Sequence, residues 1–178
     1  MKKILSIIIL LFIYFTSYPQ NKEIKRSIKE VKNYVADIYS YYEETETNIL
    51  EAQNAMSLQD TKLYSGYAFT FSDNLIMNCG YAKDELFEIV KDSRKIKCLD
   101  LEIESGKIED NIFIINDASN KIYYSLSKTQ YESEINGAQK HLSNARNNLE
   151  IIERELKKIQ TTKLLEILKE CEQTKNEK

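Results

Sequence analysis

Chain breakers are scarce in this sequence. One proline and four glycines in 178 residues argue against a loop-rich sandwich or a disulfide scaffold and favour long helices. Tryptophan is absent, and histidine occurs once, at His141. A lone imidazole supplies neither the set of ligands a zinc site needs nor a nucleophile–base–orienter arrangement. The three cysteines show no CxxC spacing, and there is no Gly-rich phosphate loop, HExxH or GxSxG. These absences remove the common catalytic classes. The expectation is a protein that is not an enzyme, with no catalytic, cofactor-binding or metal-ligating residues and no cofactor.

Positive charge is also short. The chain has 25 Lys and Arg against 28 Asp and Glu, and without Lys2 and Lys3 the balance is 23 against 28. A mildly acidic body has no bulk attraction for phosphate backbones, so no nucleic-acid partner is expected.

What is present begins with Lys2-Lys3 and the apolar run Ile4 to Phe15. A basic start and an apolar stretch of about a dozen residues fit a secretory signal peptide, shorter than the roughly 20 residues of a spanning helix. Residues 1–20 are therefore expected to be a leader. The rest, 21–178, is expected to be one domain, exported to the periplasm or secreted, with no stable membrane insertion after leader removal; the alternative is an uncleaved N-terminal membrane tether.

From Ile24 a heptad repeat follows: Ile24, Ile28, Val31, Val35, Ile38, Tyr42, Thr45, Ile49, Ala52, Met56, Gln59 and Leu63. This spacing predicts one long helix with a narrow apolar seam that a second helix must cover, started by Asn21 as N-cap. A second seam runs through Tyr131, Ile135, Ala138, Leu142, Ala145, Leu149, Ile152, Leu156 and Ile159. Ser127-Lys128-Thr129-Gln130 precedes it and reads as a capping box. Between the two seams the period shifts. Lys83 to Arg94 reads as a short helix. Leu99, Leu101 and Ile103 alternate with acids, Ile108 to Ile115 is rich in β-branched residues, and Ile122, Tyr124 and Leu126 alternate again. Ser105-Gly106 and Asp117 to Asn120 supply turn residues. The predicted fold class is α+β: two long antiparallel coiled-coil-like helices with an inserted head at about 64–127, made of one short helix and a three-stranded antiparallel meander. Asp100, Glu102 and Glu104 echo a calcium loop only superficially, because Ser105 and Asn111 stand where such a loop needs Gly and Glu. They are expected on the wet face of the first strand.

Cys79 and Cys98 flank the short helix of the head and form the candidate disulfide, with Cys171 expected too far away. Twelve tyrosines are present. Tyr34, Tyr41, Tyr123 and Tyr124 are the candidates for a recognition surface, since tyrosine joins an apolar ring to a polar tip. The competing role for Tyr34 and Tyr41, each one residue before a seam position, is padding between helices.

The functional expectation is an extracytoplasmic interaction or scaffold protein whose partner is another envelope or extracellular protein. It would act through its helical hairpin or its head, and its heptads also permit self-association. The alternative is a small-ligand-binding or sensory module with a pocket in the 64–127 head.

Overall fold

The computed structural model describes the backbone of residues 2–176 and the side chains of residues 21–174. Five helices follow one another: α1 (Lys2–Asn54), α2 (Leu58–Lys95), α3 (Leu99–Tyr131), α4 (Ile135–Leu156) and α5 (Thr161–Asn176). Three-residue connections join the first four, so successive helices reverse direction and pack as neighbours. α4 closes the ring against α1, and α5 continues the fourth arm against α1 and α3. The result is an up-down-up-down four-helix bundle whose fourth arm is broken.

The expected meander is overturned, because residues 99–131 form a single helix and no strand occurs among the described residues. Its buried row is Cys98, Leu101, Ser105, Ile108, Ile112, Ile115, Ser119, Ile122, Leu126 and Thr129, in steps of three and four. α2 has a matching row: Thr61, Ser65, Ala68, Ser72, Leu75, Cys79, Ala82, Leu86, Ile89, Ser93 and Ile96. Both rows are heptads. The alternation that suggested a strand fails on burial, since Leu101 is buried while Leu99 and Ile103 are exposed. Gly106 and Asn120 are helical residues and make no turns.

Most hydroxyls in these rows are accommodated locally, the exception being Ser105, whose buried Oγ has no partner. Ser72 and Ser93 donate to the carbonyls of Phe69 and Val90, both at 2.8 Å. Ser119 and Thr129 donate four residues back, to Ile115 and Ser125. A hydroxyl that bonds its own helix carries no unmet polar group into the core.

The two seams predicted for the long helices survive in shortened form. α1 buries Ile24, Ile28, Val31, Ile38, Tyr42, Thr45, Ile49 and Ala52, but it ends at Asn54, and Met56 is 99% exposed. α2 starts at a cap instead: Ser57 Oγ accepts from the Asp60 N–H at 3.0 Å and donates to the Asp60 carboxylate at 2.7 Å. α4 buries Ala138, Leu142, Ala145, Leu149, Ile152 and Leu156, while Tyr131 is 86% exposed. The Ser127–Gln130 stretch caps nothing, because it lies inside α3 and α4 begins at Ile135. Asn21 is likewise internal to α1 and no N-cap. The side chains of the expected leader, residues 1–20, lie outside the described residues.

The disulfide expectation is also corrected. The bridge is Cys98–Cys171, with S–S 2.01 Å and Cα atoms 5.9 Å apart, and Cys79 is a free, buried cysteine. α5 brings Cys171 back beside the α2–α3 turn, whereas Cys79 stays in the middle of the α2 buried row. That turn is a Schellman motif: Cys98 N–H bonds the Ser93 carbonyl and Lys97 N–H bonds the Arg94 carbonyl. Lys97 takes φ 56°, the left-handed conformation usually given to glycine.

Candidate functional site

The buried rows dictate what is left outside. On α2 the residues facing away from the core include Leu63, Tyr67, Met77, Tyr81 and Phe87; on α3 they include Leu99, Ile103, Phe113, Ile114, Tyr124 and Tyr131. All are large, apolar or aromatic, and exposed. Among the described residues, α1 contributes only Tyr39 and Leu50 to this class, and α4 and α5 contribute none. Scattered exposed apolar residues are ordinary; here they are concentrated on one hairpin.

Some of these side chains have a partner within the face. Lys83 Nζ sits 5.4 Å from the centre of the Phe113 ring, a cation–π contact across the outer side of α2 and α3. The Phe69 ring lies 4.2 Å from that of Tyr123, which in turn meets Tyr124 edge-on at 5.8 Å. Near this aromatic cluster a cavity of about 320 Å³ opens between Gly66, Phe69, Ser127, Gln130 and Tyr131. Gln130 Nε2 donates to the Lys62 carbonyl at 2.8 Å and to Ser65 Oγ at 2.6 Å, tying α3 to α2 beside the cavity.

The four candidate tyrosines fall into two groups on different flanks of α2. Tyr34 pairs with Tyr81 at 5.5 Å and Tyr41 with Phe71 at 6.5 Å, along the α1–α2 boundary. Tyr123 and Tyr124 lie on the α2–α3 side, and only Tyr124 among the four is strongly exposed. Leu63, Phe87 and Phe113 were missed as surface residues. Once α2 and α3 are known to be helices, the same residues stand out by falling between the buried rows.

Other side chains that carry chemistry are structurally occupied. His141 Nε2 lies 2.8 Å from Glu132 Oε1 across the α3–α4 turn. Burial pushes the Cys79 thiol up to about 12, against the opposing pull of Lys83, so it holds its proton. Asp100 and Glu102 stand in the first turn of α3, where the helix dipole favours acids, so they lie on no strand. Glu102 bonds Arg94 at 2.7 Å. Glu104 joins α3 to α5: burial opposes its charge, but hydrogen bonds from Lys163 (3.1 Å) and Lys107 (3.2 Å) hold its carboxyl below the usual range. No three His, Cys, Asp or Glu side chains converge as a metal site among the described residues. Among those residues, too, no helix is long and apolar enough to cross a membrane.

Comparison with known proteins brings no match, whether by family model, curated sequence or solved structure.

Proposed function

We propose that this is an exported, non-catalytic interaction or scaffold protein that binds another envelope or extracellular protein through the outward face of α2 and α3. The observation that carries this reading is the one-sided distribution of exposed apolar residues, with Phe87 and Phe113 each about 60% exposed and the α4–α5 surface free of such residues. Protein interfaces concentrate aromatic residues of this kind at their centres. The Cys98–Cys171 bridge supports an oxidising compartment, in keeping with the basic and apolar start of the chain. The paired His141 and the protonated, buried Cys79 support a non-catalytic role. The alternative, a small-ligand module, draws support from the cavity beside Gly66, which lies within the 64–127 region.

The test is site-specific photocross-linking in the cells that make the protein. A photoreactive phenylalanine at Phe87 or Phe113 is expected to give discrete adducts with a partner, and the same group at Asn144 on α4 is not. Equal adducts at all three positions, or none at Phe87 and Phe113, would refute the reading.

A further inference from the structure

The cavity between α2 and α3 has a chemistry of its own. Its lining contains two rings, Phe69 and Tyr131, two neutral polar side chains, Ser127 and Gln130, and Gly66, with no charged group. Phe69 is held in place by the Tyr123 ring, so that wall is formed before any ligand arrives. The Gln130 amide spends its Nε2 on Lys62 and Ser65, which leaves Oε1 to accept from a ligand. An uncharged, open pocket flanked by two rings and an acceptor suits a flat ring that carries an N–H, and it offers no positive charge to a phosphate. At about 320 Å³ it falls at the small end of ligand-site volumes, enough for one side chain. Leu63, Tyr67 and Tyr124 stand within one helical turn of the lining residues and continue the exposed apolar face around it.

We infer that this cavity is the anchor pocket of the α2–α3 face, taking a single tryptophan side chain of the partner protein. The indole ring would lie between Phe69 and Tyr131, with its N–H donated to Gln130. This rests on the reading of α2–α3 as a protein-binding surface and names the residue type that surface selects. Buried aromatic anchors seated in pockets contribute most of the affinity in many interfaces.

The absence of tryptophan from the chain makes the test direct. The probe is N-acetyl-tryptophanamide, excited where tyrosine does not absorb and titrated against the purified protein. The expected result is a saturable blue shift and rise in anisotropy, with a dissociation constant roughly in the millimolar range for so small a ligand. A Cβ at Gly66 would meet only Gln130 Nε2, at 3.7 Å, so Gly66→Leu fills the cavity from a helix surface without a clash in the core. It is expected to weaken probe binding by about tenfold or more, with helical circular dichroism unchanged. Gly66→Ala serves as the milder variant and Asn144→Ala, on the exposed surface of α4, as the control that leaves probe binding unaltered. The pocket assignment is overturned if the probe does not saturate, if Gly66→Leu binds it as well as the native chain, or if N-acetylglucosamine displaces it. Cross-linking at Phe113 reports on the face independently, so failure of the pocket and failure of the face give different patterns.

Discussion

Along α2 and α3 the buried rows run unbroken for the length of both helices, and large apolar side chains cover much of the outer surface. The α4–α5 arm is interrupted at Lys157–Gln160, turns a polar surface outward, and is fastened by individual ties. Gln139 Nε2 donates to the end carbonyls of α1 at Ala52 and Gln53. Lys25 pairs with Glu172 at 2.8 Å, Lys163 with Glu104 at 3.1 Å, and Cys98 is bonded to Cys171. Both regions are packed through buried rows, in the arm from Ala138 to Leu156 and at Leu164 and Leu168, but the arm adds specific links while the hairpin leaves a large apolar outer surface uncovered. Surface ion pairs contribute little each, so among these links the covalent one dominates.

The sharpest way to break that contrast is to cut the link. Cys98→Ser, or reduction, opens a loop with a sequence separation of 73, worth about 4 kcal/mol in the chain-entropy model. The expected outcome in calorimetry is a melting temperature lower by about 10 °C, with amide exchange rising first in α5. An equal rise across α2 and α3 would contradict the division between hairpin and arm.

Adjacent residues of α3 give the next test. Ile112 is fully buried and Phe113 is 60% exposed. Ile112→Ala is expected to cost about 2–5 kcal/mol in urea unfolding. Phe113→Ser is expected to cost no more than about 1 kcal/mol, mainly its contact with Lys83, while abolishing partner cross-links. Comparable losses of stability from both would mean that the outer face is structural.

A smaller effect of opposite sign is expected at Gly80 and Gly106. Both lie inside helices with nothing within 4 Å of a built Cβ, so each Ala substitution should stabilise by about 0.5–1 kcal/mol. A loss of stability would show that the hairpin's outer surface is packed more tightly than its exposure indicates.

The smallest effect belongs to the arm and depends on pH. A hydrogen bond from Lys158 leads in holding the buried Glu155 carboxyl below the ordinary 4.5, with burial opposing and Arg154 assisting. A lowered carboxyl contributes stability that is fully present above the unfolded value and is lost as pH falls through the folded one. Melting temperature is therefore expected to fall on acidification below about pH 4.5, less steeply in Glu155→Gln. Identical slopes would remove Glu155 from the account.

The α1 and α4 seams were legible because apolar residues recur at the helical spacing, from Ile24 to Ala52 with only Thr45 polar and from Ala138 to Leu156 without interruption. The scarcity of Gly and Pro favoured long helices over loop-rich folds, and for residues 99–131 that composition was a better guide than the short alternations were. Those alternations misled because Ser105, Ser119 and Thr129 hold buried positions in the α3 row, so its true period is invisible to a count of apolar residues alone. The Ser57–Asp60 cap went unread because the heptad spacing runs on across it to Leu63. The α2–α3 turn offered none, because Lys97 occupies a position at which glycine would have announced a helix end. The outward face could not be read until both rows were known.

By itself the sequence determined what is local: a helix-forming composition and two amphipathic seams. Only the tertiary structure decided what joins distant residues. It closed the bundle, admitted hydroxyls to the core, left α2 and α3 with an uncovered apolar side and brought Cys171 to Cys98. The physical reason is that periodicity fixes which side of a helix is buried, whereas pairing across tens of residues depends on where each turn sends the next helix.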